Sequence, residues 1–291
     1  MILVTGATGT NGVELVKRLS ARRATVRAFV RKRDHPQGIV LPGVEIVEGD
    51  FNRPETFPSA LKGIDRLFLL VPSSANVERQ QCSLVDAAKH SSVRHIVKLS
   101  QWNADRNSAG RFQRYHGVVE DYIRDSGIAF TFLRPNLFMQ GLLNFRTTIQ
   151  KQGVFYGAAG DAKVSIVDVR DIACIAALAL TEPGHEGKTY QITGPESLTH
   201  SALASELSAA TGRRIQYVDL APEVLSKSLQ DFGMQQWQAD GLGEDYALYR
   251  RGEAARVTTD VLRLTGREAM PFSKFAKDYA DAFRRRDAGV A

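Results

Sequence analysis

The chain has 291 residues, of which 43% are hydrophobic and 24% are charged, with a formal net charge of +6 and a pI near 9.4. This composition is typical of a folded globular protein and excludes a disordered chain. No apolar run is long enough to span a membrane and the first residues predict a strand instead of a signal peptide, so we expect a cytoplasmic protein.

The positive charge raises the question of a nucleic-acid partner. The basic clusters Arg22–Arg23, Arg213–Arg214 and Arg284–Arg286 lie at predicted helix–strand junctions or at a helix end. Aromatic residues do not interleave with them, as single-strand binding would require. We therefore expect solvated surface charge and no nucleic-acid partner.

The metal-binding residue types are scattered. Cys82 and Cys174 lie in predicted helices without metal-ligand spacing, and the six histidines show none either. We expect reduced core thiols and no metal site.

The chain starts with a short apolar strand, a glycine-rich turn and an amphipathic helix, as expected for a dinucleotide-binding loop. Glycines let main-chain N–H groups approach a pyrophosphate, and the helix N-terminus favours an anion. The alternative is a simple glycine-rich turn. The predicted pyrophosphate-binding residues are Gly6, Thr8, Gly9, Thr10, Asn11 and Gly12.

A second predicted strand, Thr25–Val30, ends in a basic group. In dinucleotide folds this strand end lies beside the adenosine ribose, where an acid selects NAD and a base accommodates the 2′-phosphate of NADP. We predict that Arg31 and Lys32, with Arg33 as a possible support, bind that phosphate and that the cofactor is NADP(H). The alternative is a solvated basic turn, and the nearby Asp34 weighs against the phosphate site.

Strands and helices then alternate, which indicates an α/β fold with a doubly wound, Rossmann-type parallel sheet. The further strands are predicted at Val44–Asp50, Asp65–Pro72, Val93–Ser100 and Ala129–Asn136, with helices at Ala75–His90 and Phe112–Ile123. We expect a cofactor-binding domain at 1–185 and a smaller substrate-capping lobe at 186–291. Residues 137–163 are expected to contribute to the substrate pocket.

Ligands of such sheets lie beyond the carboxyl ends of the strands. Asp50 and Phe51 suit an adenine pocket, although Asp50 could instead cap a helix. The other predicted cofactor contacts are Val71, Pro72, Ser100, Gln101, Pro135 and Phe138. Phe138 is expected against the nicotinamide or, alternatively, in a core helix.

The C-terminal third has weaker patterns. They predict strands at Val164–Val167, Lys188–Thr193 and Ile215–Leu220, and helices at Ala173–Leu180, Ser201–Ala210, Glu223–Phe232, Met234–Arg251 and Pro271–Arg284. Asp168 or Asp171 is expected to cap the helix that follows. Four aromatic residues at helical spacing, Phe272, Phe275, Tyr279 and Phe283, predict a packed face.

The sequence resembles the atypical short-chain dehydrogenase/reductases of the NmrA-like group, which includes quinone, azo-dye and triphenylmethane reductases and NADP-sensing regulators. The matching features are Thr5–Gly12, Val30–Arg31, Gly49–Asp50, His116-x-x-x-Glu120, Ser126–Asn136 and Val167–Ala173. They extend from the start to about residue 194. The resemblance implies a Rossmann fold that binds NADP(H).

One feature departs from typical short-chain dehydrogenases, which carry Tyr-x-x-x-Lys so that the cation lowers the pKa of a proton-donating tyrosine. Here Tyr115 is followed by Val119, and the pair at that spacing is His116 and Glu120. We expect the carboxylate to favour the imidazolium, and His116, with Tyr115, to orient the substrate or donate a proton. The alternative is that His116 and Glu120 form a pair on the surface of the helix and have no functional role.

Carbonyl reduction needs a proton donor, and the usual tyrosine–lysine pair is absent. We therefore favour hydride transfer to a conjugated, aromatic acceptor, which spreads the added charge. The alternatives are a non-catalytic NADP(H)-sensing regulator and, less favoured, NAD-linked sugar-nucleotide chemistry. Neither the substrate nor the oligomeric state follows from the sequence.

Overall fold

The computed structural model describes residues 1–32 and 38–284, so that Arg33, Asp34 and Arg285–Arg286 lie outside the described residues. The strands are β1 Ile2–Val4, β2 Val26–Val30, β3 Val44–Glu48, β4 Arg66–Leu69, β5 His95–Leu99, β6 Ala129–Pro135, β7 Val154–Gly157, β8 Lys188–Ile192 and β9 Gln216–Asp219. The helices are α1 Thr10–Ala21, α2 Phe57–Leu61, α3 Val77–Lys89, α4 Arg111–Asp125, α5 Arg146–Gln152, α6 Val169–Thr181, α7 His200–Thr211, α8 Pro222–Asp231, α9 Gln236–Arg250, α10 Asp260–Thr265, α11 Phe272–Asp278 and α12 Ala280–Phe283. Two 3-10 helices cover Pro54–Thr56 and Met139–Phe145.

Seven strands form one sheet in the order β3-β2-β1-β4-β5-β6-β8. The pairs β1–β2, β1–β4, β2–β3, β4–β5 and β5–β6 are all parallel. Strand β1 lies between β2 and β4. The chain therefore first adds β2 and β3 on one side of β1, and then returns to add β4, β5, β6 and β8 on the other side. This confirms the predicted doubly wound fold, in which the switch point lies at the carboxyl ends of β1 and β4.

The central strands are apolar because helices cover both faces of a parallel sheet. Leu67 and Leu69 of β4 and Ile96 and Val97 of β5 are fully buried. Helix α1 contacts α6 beside this sheet. These packed elements hold the loops that follow β1, β4 and β5 in fixed positions.

Several predicted elements of the C-terminal third differ from the structure. Val164–Val167 is not one of the strands of the described residues; Val164 and Val167 form isolated bridges with Leu198 and Phe138. The predicted helix Pro271–Arg284 is divided at Tyr279, which ends α11 and precedes α12. Strand β7, which pairs with β9, was not predicted.

The chain divides into two compact units, Met1–Pro135 with Val169–Gln191, and Asn136–Asp168 with Ile192–Ala291. The expected division was 1–185 and 186–291, with 137–163 at the pocket. Two features differ from it. Most of β8 belongs to the first unit, and the whole segment 136–168 belongs to the second.

The second unit has its own core, built from both of its chain segments. The segment 136–168 contributes Ile149 and Phe155, and the later segment contributes Leu203, Phe272 and Phe275. Tyr279 packs against this cluster and Phe283 is fully buried in it, as expected of an aromatic face. The aromatic spacing therefore predicted the packed face, although it did not predict the break in the helix.

Candidate functional site

The loop after β1 is a tight turn that brings the start of α1 onto its own backbone. Gly6 has φ = +63°, a left-handed conformation that favours glycine. A Cβ at Gly12 would lie 2.1 Å from the carbonyl oxygen of Gly6, so only glycine fits there. The Thr5 hydroxyl accepts from the Leu70 N–H at 2.8 Å and lies 2.9 Å from the Phe68 carbonyl oxygen, which ties this loop to the end of β4.

The N-terminus of α1 has the properties of an anion site. Among the described residues, no side chain caps the helix at Gly9 and no acid occupies its first turn. The first N–H groups of a helix have no intrahelical acceptor and carry a partial positive charge. Asn11 is buried, and its Oδ1 has no hydrogen-bond partner within residues 1–32 and 38–284. The helix N-terminus suits a pyrophosphate and a ribose hydroxyl can donate to this oxygen, so the loop fits a dinucleotide.

The ends of β2 and β3 lie next to each other, as the Gly49 N–H donates to the Val30 carbonyl at 2.9 Å. Arg31 and Lys32, which follow β2, are both exposed. Their guanidinium and ammonium groups are thus placed at the strand end where an adenosine ribose is bound in this fold class. Their role at a 2′-phosphate stays a prediction.

Asp50 and Phe51 both have structural contacts. The Asp50 Oδ1 accepts from the Asn52 N–H at 2.8 Å, which closes a local turn. The Phe51 ring packs 5.3 Å from Phe29 and 6.0 Å from Phe57, measured between centroids. Both residues remain partly exposed, and their contact with adenine stays a prediction.

The remaining predicted cofactor residues lie in different surroundings. Val71 is buried and Pro72 is exposed directly after β4, while Gln101 is partly buried after β5. Pro135 is buried at the end of β6. Phe138 belongs to the second unit, where it is partly buried and bridges to Val167. Their contacts with a cofactor stay predictions.

Behind the end of β5, a fully buried carboxylate is surrounded by donors. Glu120 of α4 accepts from the Ser100 hydroxyl at 2.5 Å and from Arg134 through Nε at 2.9 Å and Nη2 at 2.5 Å. Arg124 adds a fourth hydrogen bond at 3.2 Å. The bidentate Arg134 pair fixes the carboxylate, and the carboxylate in turn fixes the Ser100 hydroxyl at the strand end.

A second buried pair lies beside this carboxylate. Lys98 of β5 is fully buried, and its Nζ lies 2.7 Å from Nδ1 of His116 and 3.2 Å from the Leu99 carbonyl oxygen. Burial in the sheet lowers the pKa of Lys98 to about 7. Burial, reinforced by the charges of Lys98 and Arg134, holds the pKa of His116 well below its usual range. His116 is therefore neutral.

The Tyr115 ring packs against the His116 ring, with centroids 4.1 Å apart. Its hydroxyl is 3.4 Å from the Ser73 hydroxyl, which follows β4. Val119, one turn further along α4, is fully buried, so no cation stands at the spacing that short-chain dehydrogenases use.

The expected pairing of His116 with Glu120 is wrong. Glu120 is bonded to Arg134, Arg124 and Ser100, and His116 is bonded to Lys98. The imidazolium that the carboxylate was expected to favour is consequently disfavoured. The surface-pair alternative is also wrong, because both side chains are buried.

Lys98 and Arg134 were not predicted as site residues. A usable signal was present, since each is a cation within a largely apolar strand. Charged residues are rarely buried without a partner, so two such strand residues imply buried acceptors nearby.

Within the described residues, no helix is long and apolar enough to cross a membrane. The same residues contain no group of three or more potential metal ligands placed to hold an ion.

Comparison with known proteins places these features in context. The sequence model of the NmrA-like family matches residues 1–246. The NAD(P)H azoreductase of Xenophilus azovorans is 38% identical over 283 residues, which cover 97% of this chain and 99% of that protein. The (4-alkanoyl-5-oxo-2,5-dihydrofuran-3-yl)methyl phosphate reductase of Streptomyces griseus is 36% identical, with coverage of 97% and 99%. The Escherichia coli NADPH-dependent quinone oxidoreductase, solved with NADPH, superposes with a TM-score of 0.85 at 28% identity, covering 96% of this chain and 99% of that one.

Proposed function

The chain belongs to the NmrA-like family, and from that premise we propose that it is an NADPH-dependent reductase of a conjugated, aromatic small molecule. It is an NAD(P)H-dependent oxidoreductase, in line with the azoreductase and the quinone oxidoreductase that it resembles over nearly its whole length. The observation that carries the proposal is the glycine turn at Gly6–Gly12, which forms an anion site with the start of α1. In addition, helix α4 lacks the tyrosine–lysine pair of typical short-chain dehydrogenases.

The cofactor supplies the hydride when bound, and the protein binds and orients it. The glycine turn and the start of α1 would hold the pyrophosphate through main-chain N–H groups, and Oδ1 of Asn11 would accept a hydrogen bond from a ribose hydroxyl. Arg31 and Lys32 would bind the 2′-phosphate. In this arrangement the basic end of β2 favours NADPH over NADH.

Arg31→Ala tests this cofactor preference. Loss of the guanidinium should weaken NADPH binding by about tenfold or more, because a hydrogen bond to a charged group contributes roughly 1.5–3 kcal/mol. NADH binding, which lacks the 2′-phosphate, should change far less. Fluorescence titration of both cofactors measures the two affinities, and equal losses would remove Arg31 from the phosphate site.

The acceptor class rests on chemistry and on similarity. A carbonyl that receives hydride becomes an alkoxide and needs a well-placed acid. An azo group or a quinone spreads the added charge, and the relatives named above reduce an azo compound, a quinone and an acyl-substituted dihydrofuranone. These names also weigh against the regulatory alternative, since all three relatives are named as reductases or oxidoreductases.

The proposal is tested by following NADPH oxidation with quinones, azo dyes, triphenylmethane dyes and enones. We expect turnover with at least one of these classes and none with simple aliphatic ketones. Tight NADPH binding without oxidation by any acceptor would contradict the proposal and favour a cofactor-sensing protein.

A further inference from the structure

Lys98 is not one of the residues proposed to hold the cofactor, and it is a fully buried amine bonded to the ring of His116. Lys98 directly precedes the carboxyl end of β5, where ligands of doubly wound sheets bind. His116 keeps 8% of its surface exposed while Lys98 keeps none, so a group outside this pair can contact it only through His116.

The chemistry of the contact fixes the histidine tautomer. An ammonium group only donates hydrogen bonds, so Nδ1 of His116 must accept when Lys98 is charged. The ring is neutral, and its single proton is therefore on Nε2. Nε2 is the edge turned away from Lys98, so the pair presents a donor on the far side of the ring.

We propose that Lys98 is a positioning residue that holds His116 as the Nε2–H tautomer and supplies, through that ring, the proton that a reduced acceptor needs beyond its hydride. This inference rests on the proposed function. With an azo acceptor, the N=N π bond breaks as one nitrogen gains the hydride from NADPH. The other nitrogen takes the Nε2 proton, and Nδ1 takes a proton from Lys98. The products are a hydrazo compound, NADP⁺ and a neutral lysine, which solvent reprotonates through the ring.

The groups around Lys98 allow it to release a proton near neutral pH. Burial and the charge of Arg134 on β6 lower the pKa of Lys98, whereas Glu120 on α4 and Cys82 on α3 raise it, and the result is about 7. A lysine with this pKa both holds and gives up its proton under ordinary conditions.

Two acceptors separate proton supply from hydride transfer. Methyl red, an azo dye, needs a hydride and a proton. Crystal violet, a cationic triphenylmethane dye, becomes neutral on gaining a hydride and needs no proton. A change that removes only the proton source should therefore affect methyl red much more than crystal violet.

The experiment measures kcat with both dyes for the wild type, Lys98→Met and His116→Gln, with the exposed Lys62→Met as the matched control. We expect the methyl red rate of both variants to fall about 100-fold, at least ten times more than the crystal violet rate. The wild-type methyl red rate should also fall as pH rises through about 7, because Lys98 loses its proton, and this fall should be absent in Lys98→Met. Equal losses on both dyes, or a pH fall that persists in Lys98→Met, would overturn the proposal.

A second measurement does not depend on turnover. Ring-nitrogen NMR of His116 in the free protein should show Nε2 protonated and Nδ1 unprotonated at pH 6, with a mixture of tautomers in Lys98→Met. A protonated Nδ1 in the wild type would refute the proposal. If the wild type oxidises NADPH with neither dye nor any other acceptor, the proposed function fails, and the NMR result alone decides the placement of the proton.

Discussion

At the scale of single residues, Glu120 is a tightly bound acid of the first unit. Its carboxylate is fully buried and accepts from the side chains of Ser100, Arg124 and Arg134. A buried charge of this kind is tolerated only because its partners replace the lost water. Any change that removes the charge leaves the Arg134 guanidinium without its counter-ion.

Glu120→Gln should lower the free energy of unfolding by about 3 kcal/mol or more, since breaking a buried ion pair leaves an uncompensated charge. Urea unfolding measures the change. Glu14→Gln is the control, because Glu14 forms a partly exposed pair with Lys17 and should change stability by less than about 1 kcal/mol. Similar values for the two variants would show that the Glu120 network does not stabilise the fold.

The residues of the site were predictable to different degrees. The sequence identified His116 as a site candidate and Glu120 as its expected partner, but the spacing along α4 could not reveal that Lys98 on β5 lies closer. Side-chain pairing within one helix competes with pairing across the sheet, and only the fold decides between them. Lys98 was not predicted as a site residue, although a lysine within a buried strand implies that a partner exists.

At the scale of elements, β1, the glycine turn and α1 form a rigid corner. The fixed turn at Gly6 brings its carbonyl against Gly12, and Leu15, Val16 and Leu19 bury one face of α1. The orientation of the helix N-terminus, and therefore of its N–H groups, is determined by this packing.

Gly12→Ala and Gly9→Ala should distinguish a glycine that the close packing of this corner requires from one that it does not. A Cβ at Gly12 meets the Gly6 carbonyl oxygen at 2.1 Å, whereas a Cβ at Gly9 lies 3.4 Å from the same atom. We expect Gly12→Ala to destabilise the fold by about 1–3 kcal/mol or more, and Gly9→Ala to change stability by well under 1 kcal/mol. Thermal unfolding without cofactor measures both, and an intact melting temperature for Gly12→Ala would contradict the close approach.

Where strands and helices alternate regularly, even short elements such as β1 were predictable from the sequence. The strands from β1 to β6 and helices α3 and α4 lie at the expected places, because apolar strands and amphipathic helices alternate along this part of the chain. The apolar run Val164–Val167 has the same composition but forms only isolated bridges. Burial alone explains its sequence, so a strand could not be distinguished from a buried connection.

At the scale of the whole molecule, the second unit is assembled from two stretches separated by α6 and most of β8. Its core joins Ile149 and Phe155 of the earlier stretch to Phe272 and Phe275 of the later one. Neither stretch alone has the apolar partners that bury its side chains. This division could not be predicted from composition, since the polarity of the sequence does not change at residues 135, 168 or 191.

A chain that ends at Gln191 should be insoluble, although it contains every residue of the first unit. Its segment 136–168 would expose Ile149 and Phe155, which are otherwise fully buried. The control also replaces 136–168 with a flexible linker of about ten residues and should recover a soluble, helical protein. Solubility and circular dichroism give the comparison, and a soluble, cooperatively folded chain 1–191 would contradict the shared core.

Lys98, His116, Glu120 and Arg134 all belong to the continuous run from β5 through α4 to β6. The glycine corner and the basic end of β2 lie in an earlier, separate part of the chain. A substitution in the run 95–135 can therefore change the proposed proton supply while it leaves the residues proposed for the pyrophosphate and the 2′-phosphate unchanged. A chimaera that takes residues 95–135 from another family member should therefore keep the recipient's choice between NADPH and NADH, which titration with both cofactors measures.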